Sequence, residues 1–189
     1  MTSNQIIIFA SGSGSNAENL ITYFSEKTYN LNWIIYTNNE EAGVIDRAKK
    51  LNVDYKIFNK TELYNGVILN SIKFINPKLI ILAGFLLKFP KDIVNHYNKK
   101  IVNIHPALLP KYGGKGMYGM NVHNAIIQNK EAVSGITIHY VNSNYDEGPI
   151  IFQKQVKIDK LDSPKDLANK IHNLEMEYFP KVIEKIVIK

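Results

Sequence analysis

Asn103 and His105 stand two residues apart in Asn103-Ile104-His105-Pro106, at the downstream end of the apolar run Lys100–Ile104. In a strand, positions i and i+2 project to one face, so both polar side chains reach the same crevice. An asparagine amide offers N–H donors to a developing oxyanion. A histidine donates there when protonated or passes protons when neutral. Equally, Asn103 can tie down a loop and His105 can cap it. A third group is Asp146, in Asn144-Tyr145-Asp146-Glu147-Gly148-Pro149. Its carboxylate can orient His105 or take a proton directly or through water. Glu147 is an adjacent alternative, and an ordinary turn aspartate is the simplest reading of the same residues.

A second constellation lies near the start, in Ser11-Gly12-Ser13-Gly14-Ser15-Asn16. Glycines let the backbone turn sharply, and the free N–H groups at a following helix start point at an anion. The serine hydroxyls and the Asn16 amide add donors. The third glycine of a dinucleotide fingerprint is missing, as is the Gly-Lys-Ser/Thr of a Walker loop. A monophosphate is the best-fitting guest, and a tight turn before a capped helix is the alternative. Pro106 fixes the direction in which the chain leaves His105, and Leu108-Leu109-Pro110 should hold the following loop on the core. Gly113–Gly119 is either a flap beside the site or a surface loop. His139 lies on the polar side of its strand, where it either supports the site or serves the fold; His96 and His123 read as ordinary helix residues.

The elements that must position these groups follow from the apolar pattern. Gln5–Ala10, Leu31–Thr37, Lys78–Ala83 and Lys100–Ile104 are short apolar runs, with a further short strand at Tyr55–Phe58. Runs without alternation suit strands buried on both faces. Helices are expected at Ala17–Lys27, Glu40–Lys50, Thr61–Ile75, Lys91–His96 and Asn121–Gln128. Strands alternating with helices argue for parallel βαβ units. Gly135–Val141 and Pro149–Ile158 are too close in sequence for a crossover, so they form an antiparallel pair at one side of the sheet. Ser163-Pro164-Lys165-Asp166 opens a last helix with cap, N1 proline and N3 acid, and Pro180 is expected to break or kink it. The expected fold class is α/β, a Rossmann-like, open, mostly parallel mixed sheet with helices on both faces, in a single domain spanning 1–189.

Composition narrows the function classes. The 189 residues carry 23 basic and 17 acidic side chains, a net charge of +6, and 45% apolar residues, which excludes a disordered or low-complexity chain. There is no cysteine, so thiol nucleophiles, disulfides and thiolate metal sites are excluded. With five histidines and no His-Glu-x-x-His spacing, no metal is expected. Arg47 is the single arginine and the lysines are scattered, which does not suit reading of nucleic acid. No run spans a bilayer, and Met1-Thr2-Ser3-Asn4 lacks a basic leader, so no membrane partner and a cytoplasmic location are expected.

Asn103-Ile104-His105-Pro106-Ala107-Leu108-Leu109-Pro110-Lys111-Tyr112, Asp146-Glu147-Gly148-Pro149 and the Ser11–Asn16 loop together resemble the phosphoribosylglycinamide formyltransferases, the folate-dependent GAR transformylase family. The resemblance covers essentially the whole chain. It implies formyl transfer from 10-formyltetrahydrofolate, a co-substrate, to the amine of glycinamide ribonucleotide in purine synthesis, without metal. The family's catalytic residues fall on Asn103, His105 and Asp146, and its phosphate cradle on Ser11, Gly12, Ser13, Gly14, Ser15 and Asn16. His172 falls at the phosphate end and Glu175 on the ribose hydroxyls. Phe85, Leu86, Leu87, Lys88 and Phe89, with Ser143, Asn144 and Tyr145, resemble the segments around the folate pterin. His139, Pro106 and Pro110 would support the reacting groups from behind. Gly113–Gly119 is longer than in compact members. Small-molecule partners and a monomer or weak homodimer are the corresponding expectations. Methionyl-tRNA formyltransferase would carry a further C-terminal domain, and formyltetrahydrofolate deformylase an added N-terminal one; a binding module without chemistry would not need the three polar groups to converge.

Overall fold

The computed structural model describes residues 4–188; Met1–Ser3, on which the argument against a leader partly rests, and Lys189 lie outside them. Seven strands form one sheet in the order β3-β2-β1-β4-β5-β6-β7. They are β1 Gln5–Phe9, β2 Asn32–Thr37, β3 Asp54–Ile57, β4 Leu79–Leu82, β5 Ile101–His105, β6 Val133–Tyr140 and β7 Ile150–Lys157. The first five run parallel. β6 and β7 are antiparallel and form one edge, as the short link between them requires.

The unbroken apolar runs have a direct cause: both faces of the sheet are covered. Ile6, Ile8 and Ala10 pack under α1 (Ser15–Ser25), α2 (Val44–Lys50), α6 (Met120–Gln128) and α7 (Pro164–Val187). Ile7 and Phe9 point the other way, into a cluster with α3 (Lys60–Tyr64), α4 (Val67–Ile75) and α5 (Lys91–His96). Alternate side chains of one strand thus enter two apolar layers.

Three helices differ from the sequence expectation. The stretch 61–75 is two helices, because Asn65-Gly66 intervenes and Gly66 takes a left-handed φ of 90°. The helix expected from Glu40 begins only at Val44, after a turn through Gly43. Pro180 neither ends nor divides α7. A proline in a helix deprives the carbonyl four residues back of its donor, and here that Met176 carbonyl accepts from the Asn19 Nδ2 of α1 at 2.9 Å. The lost bond is replaced across the α1–α7 contact. The Ser163–Asp166 capping box forms as expected.

β1 and β4 are neighbours in the sheet, but the chain leaves β1 toward β2 and β4 toward β5. Their exit loops diverge there, which opens a crevice beyond the carboxyl ends of the strands, the usual ligand position in such sheets.

Candidate functional site

The crevice is a cleft of about 750 Å³ bounded by the glycine-rich loop (Ser13, Asn16), the Gly84–Leu86 turn, the end of β5, the 114–120 flap, Asp146 and α7. Beside it lies a side chamber of about 60 Å³ walled by Leu87, Lys88, Phe89, Asn142 and Asn144, among others. Phe85, Asn103, Tyr145 and Asp146 line both.

Antiparallel pairing of β5 with β6 sets Asn103 opposite His139 and His105 opposite Thr137. A register irregularity falls at Ile138/His139, a common feature beside active sites. Proton positions follow from what each partner can do. The His139 Nδ1 lies 2.9 Å from the Tyr140 carbonyl, which only accepts, so Nδ1 carries hydrogen. Its Nε2 then accepts from Asn103 Nδ2 at 3.0 Å. Burial holds the His139 pKa below the ordinary histidine range, partly offset by the Tyr140 carbonyl and Asp146, so the ring is a neutral acceptor. One Asn103 hydrogen is therefore committed. The second meets Asp146 Oδ1 only at 3.5 Å, long enough to be given up to a better acceptor.

His105 is buried and donates from Nε2 to the Tyr112 carbonyl at 2.8 Å. Its Nδ1 faces Asp146 Oδ2 at 3.6 Å, which makes Nδ1 the nitrogen whose proton can come and go. Asp146 holds a left-handed φ of 55°, a conformation aspartate tolerates better than most residues. Its Oδ2 accepts the Gly114 N–H at 2.9 Å. The flap that reads from sequence as either lid or surface loop is thus bonded to the acidic group and lines the cleft. Gly113 suits this contact, since a Cβ there would meet Leu109 and would stand 3.2 Å from the Asp146 Cβ.

The loop after His105 is bolted to the edge strands. The Thr137 hydroxyl donates to the Ala107 carbonyl at 2.6 Å and accepts the Leu109 N–H at 3.0 Å. Gln153 Nε2 lies 3.0 Å from the Leu109 carbonyl and 2.9 Å from the Thr137 Oγ1. Pro106 lines the cleft, whereas Pro110 is exposed at the far end of this bolted segment.

The first helix starts at Ser15 after Gly14, whose φ is 77° and where a Cβ would collide with Val44. Ser13 and Asn16 line the cleft, and the first N–H groups of α1 have no acceptor within the helix. Ser11, expected among the anion donors, turns away: its hydroxyl donates to Asn38 Oδ1 at 2.6 Å and accepts the Leu86 N–H at 3.0 Å. Its own N–H bonds the Gly84 carbonyl at 3.1 Å, so it joins two loops. Gly12 and Ser15 belong to the turn without lining the cleft. Arg47 braces the same loop, donating from Nε to the Ser13 carbonyl at 2.8 Å while ion-paired to Glu18.

Asn16 Nδ2 donates to Glu175 Oε2 at 2.9 Å, and its Oδ1 is buried without a partner. His172 Nδ1 lies 3.6 Å from the same Glu175 oxygen. The Glu175 carboxylate beside it raises the His172 pKa, with partial burial opposing it. On the side-chamber wall, Phe85 and Phe89 belong to the aromatic cluster around Phe9, and the Lys88 Nζ sits 5.3 Å over the Tyr145 ring. Leu86 lines the main cleft instead, and Ser143 lines neither space. Among the described residues no group of three or more His, Cys, Asp or Glu is placed to hold a metal ion, and no helix is long and apolar enough to cross a membrane.

Sequence reasoning missed Thr137, Gln153, Tyr112 and His123. Only Thr137 carried a signal, by sharing a strand face with His139 at i and i+2.

The family model described as formyl transferase matches residues 4–183. Over 186 residues the chain is 31% identical to the phosphoribosylglycinamide formyltransferase of Bacillus subtilis, covering 95% of this chain and 93% of that one. The chain belongs to the phosphoribosylglycinamide formyltransferase family. A chloroplastic member from Arabidopsis thaliana is 32% identical over 95% of this chain, which spans 64% of that longer relative. The solved structure of glycinamide ribonucleotide transformylase 1 from Geobacillus kaustophilus superposes with a TM-score of 0.88 at 28% identity, covering 99% of this chain and all of that one. The family's mixed, Rossmann-like α/β fold is the one described above.

Proposed function

We propose that residues 1–189 act as one formyltransferase domain, moving a formyl group from 10-formyltetrahydrofolate to the amine of glycinamide ribonucleotide in purine synthesis. The observation that carries this reading is the shared wall between the two spaces. A formyl group held by a donor in the side chamber and an amine held in the main cleft would meet at Asn103 and Asp146. In this reading Ser13, Asn16 and the first turn of α1 receive the phosphate, with His172 nearby, and Glu175 takes the ribose hydroxyls. Phe85, Leu87, Lys88, Phe89, Asn144 and Tyr145 enclose the pterin. The side chamber is far below the roughly 300–1,000 Å³ of ordinary ligand pockets, so Lys88 and Tyr145 must part to admit it.

The unprotonated amine attacks the formyl carbon, and a C–N bond forms as the carbonyl oxygen gains negative charge. The loosely held Asn103 hydrogen and a proton on His105 Nδ1 stabilise that oxygen. One such donor contributes about 3 kcal/mol to the transition state. The C–N10 bond then breaks, and the proton shed by the amine passes to N10, with Asp146 supporting the imidazolium and relaying the proton through water. Positioning supplies the remainder, since a free amine is nucleophile enough. His139 keeps the Asn103 amide turned correctly. The enzyme would work on small molecules in the cytoplasm, as a monomer or weak homodimer.

The test mixes protein with formylated folate and follows folate release with and without glycinamide ribonucleotide. Release that depends on the acceptor is expected. Release at equal rate without it would indicate a hydrolase, and no release in either case a passive binder.

A further inference from the structure

His123 is buried, only 6% exposed, yet it lines the main cleft. The other two buried histidines, His105 and His139, each donate to a backbone carbonyl. His123 has no hydrogen bond among the described residues, and its Nδ1 is sealed from solvent without a partner. Buried polar side chains are nearly always bonded, and an unbonded one calls for an explanation. Nδ1 is sealed from a ligand as well as from solvent, so a ligand in the cleft can bond this ring only at Nε2, which is not among the sealed atoms and has no partner among the described residues.

The chemistry of that partner can be derived. Burial keeps the ring neutral, with Glu175 opposing that effect and His105 adding to it. A sealed N–H without an acceptor is rarer than a sealed lone pair, so Nδ1 bears the lone pair and Nε2 the hydrogen. The ring therefore offers one neutral donor to an acceptor oxygen. Glu175 and His105 line the same cleft as His123, and both act on the ring electrostatically, so a ligand that spans those two groups passes within its reach.

Resting on the function proposed above, we propose that His123 is a specificity residue, donating from Nε2 to the amide carbonyl that links the ribose of glycinamide ribonucleotide to its reacting amine. That carbonyl lies between the sugar bound at Glu175 and the nitrogen presented to His105. A neutral single donor suits a neutral carbonyl oxygen, and the contact would select amide-linked amines over ribose phosphates lacking the arm.

The test is direct titration of glycinamide ribonucleotide, ribose 5-phosphate and formylated folate into wild type, His123→Leu and His123→Gln. Leucine removes the donor, and glutamine restores an N–H of similar reach. His123→Leu is expected to weaken glycinamide ribonucleotide by about tenfold or more, with ribose 5-phosphate and folate within about twofold of wild type. His123→Gln should recover affinity to within about threefold. Because the ring has no bonds to lose, thermal unfolding of His123→Leu should occur no earlier than wild type. Unchanged affinity in the leucine variant, equal loss with glutamine, or equal loss for ribose 5-phosphate would each overturn the assignment. Binding reads His123 without requiring turnover. Acceptor-dependent folate release by wild type tests the function separately, so either can fail alone.

Discussion

The two ends of the cleft treat their polar groups in opposite ways. At the end proposed to carry the reaction, Asn103, His105, His139 and Asp146 are bonded to one another or to backbone: Asn103 to His139, His139 to Tyr140, His105 to Tyr112, and Asp146 to Gly114. At the end where the proposed function seats the sugar, Asn16 bonds Glu175 through Nδ2 while its Oδ1 is buried without a partner, and the His123 ring makes no hydrogen bond among the described residues. Groups that must stabilise a fleeting charge gain from being held rigidly beforehand, because no reorganisation is then required during reaction. Groups that must recognise a ligand gain from unmet hydrogen-bonding capacity, because the correct ligand meets it and a wrong one leaves it buried and unpaired.

The sharpest way to break this contrast is Asp146→Asn, which retains an acceptor for the Gly114 N–H but removes the charge and the proton relay. Turnover at saturating substrates should fall on the order of 10²-fold or more, with affinities little changed. A fall matched by equal loss of binding would mean that Asp146 builds the cleft rather than works in it. Next comes the scaffold behind the reacting end. Thr137→Val keeps the shape but strands the Ala107 carbonyl and the Leu109 N–H. Urea unfolding should register a loss of about 3 kcal/mol, and turnover should drop because His105 is carried on the same loop.

Changes at the sugar end should be smaller and confined to binding. Glu175→Ala is expected to raise KM for glycinamide ribonucleotide about tenfold, a single decade being about 1.4 kcal/mol, while KM for the folate stays put. The smallest effect belongs to His172. The neighbouring Glu175 carboxylate lifts its pKa, so its positive charge is complete on the acid side and is lost as pH rises through that raised value. Affinity for the phosphorylated substrate should decline with rising pH more steeply in wild type than in His172→Gln, by about threefold across the transition, as measured by calorimetry at several pH values.

What could be read from sequence at these two ends differs for a related reason. The parallel strands, the antiparallel edge and the pairing of Asn103 with His105 rest on local patterns, since an apolar run or an i, i+2 pair needs no knowledge of distant residues; Asp146, far along the chain, joins them only through the family resemblance. Ser11 was misjudged because its hydroxyl is taken by Asn38 and by the Leu86 N–H, partners 27 and 75 residues away. His123 looked ordinary because its burial against the cleft depends on how the 113–119 flap delivers α6. Pro180 kept its helix through Asn19, on the other side of the chain's length. Each depends on a contact that no local window contains.

The most direct measurement is formyl transfer by His105→Ala with both substrates saturating. A loss greater than about 100-fold in turnover, on the scale of removing an oxyanion donor, with folding and both affinities intact, is the expected result. Turnover within about threefold of wild type would contradict the assignment of the reacting centre to this imidazole and its neighbours.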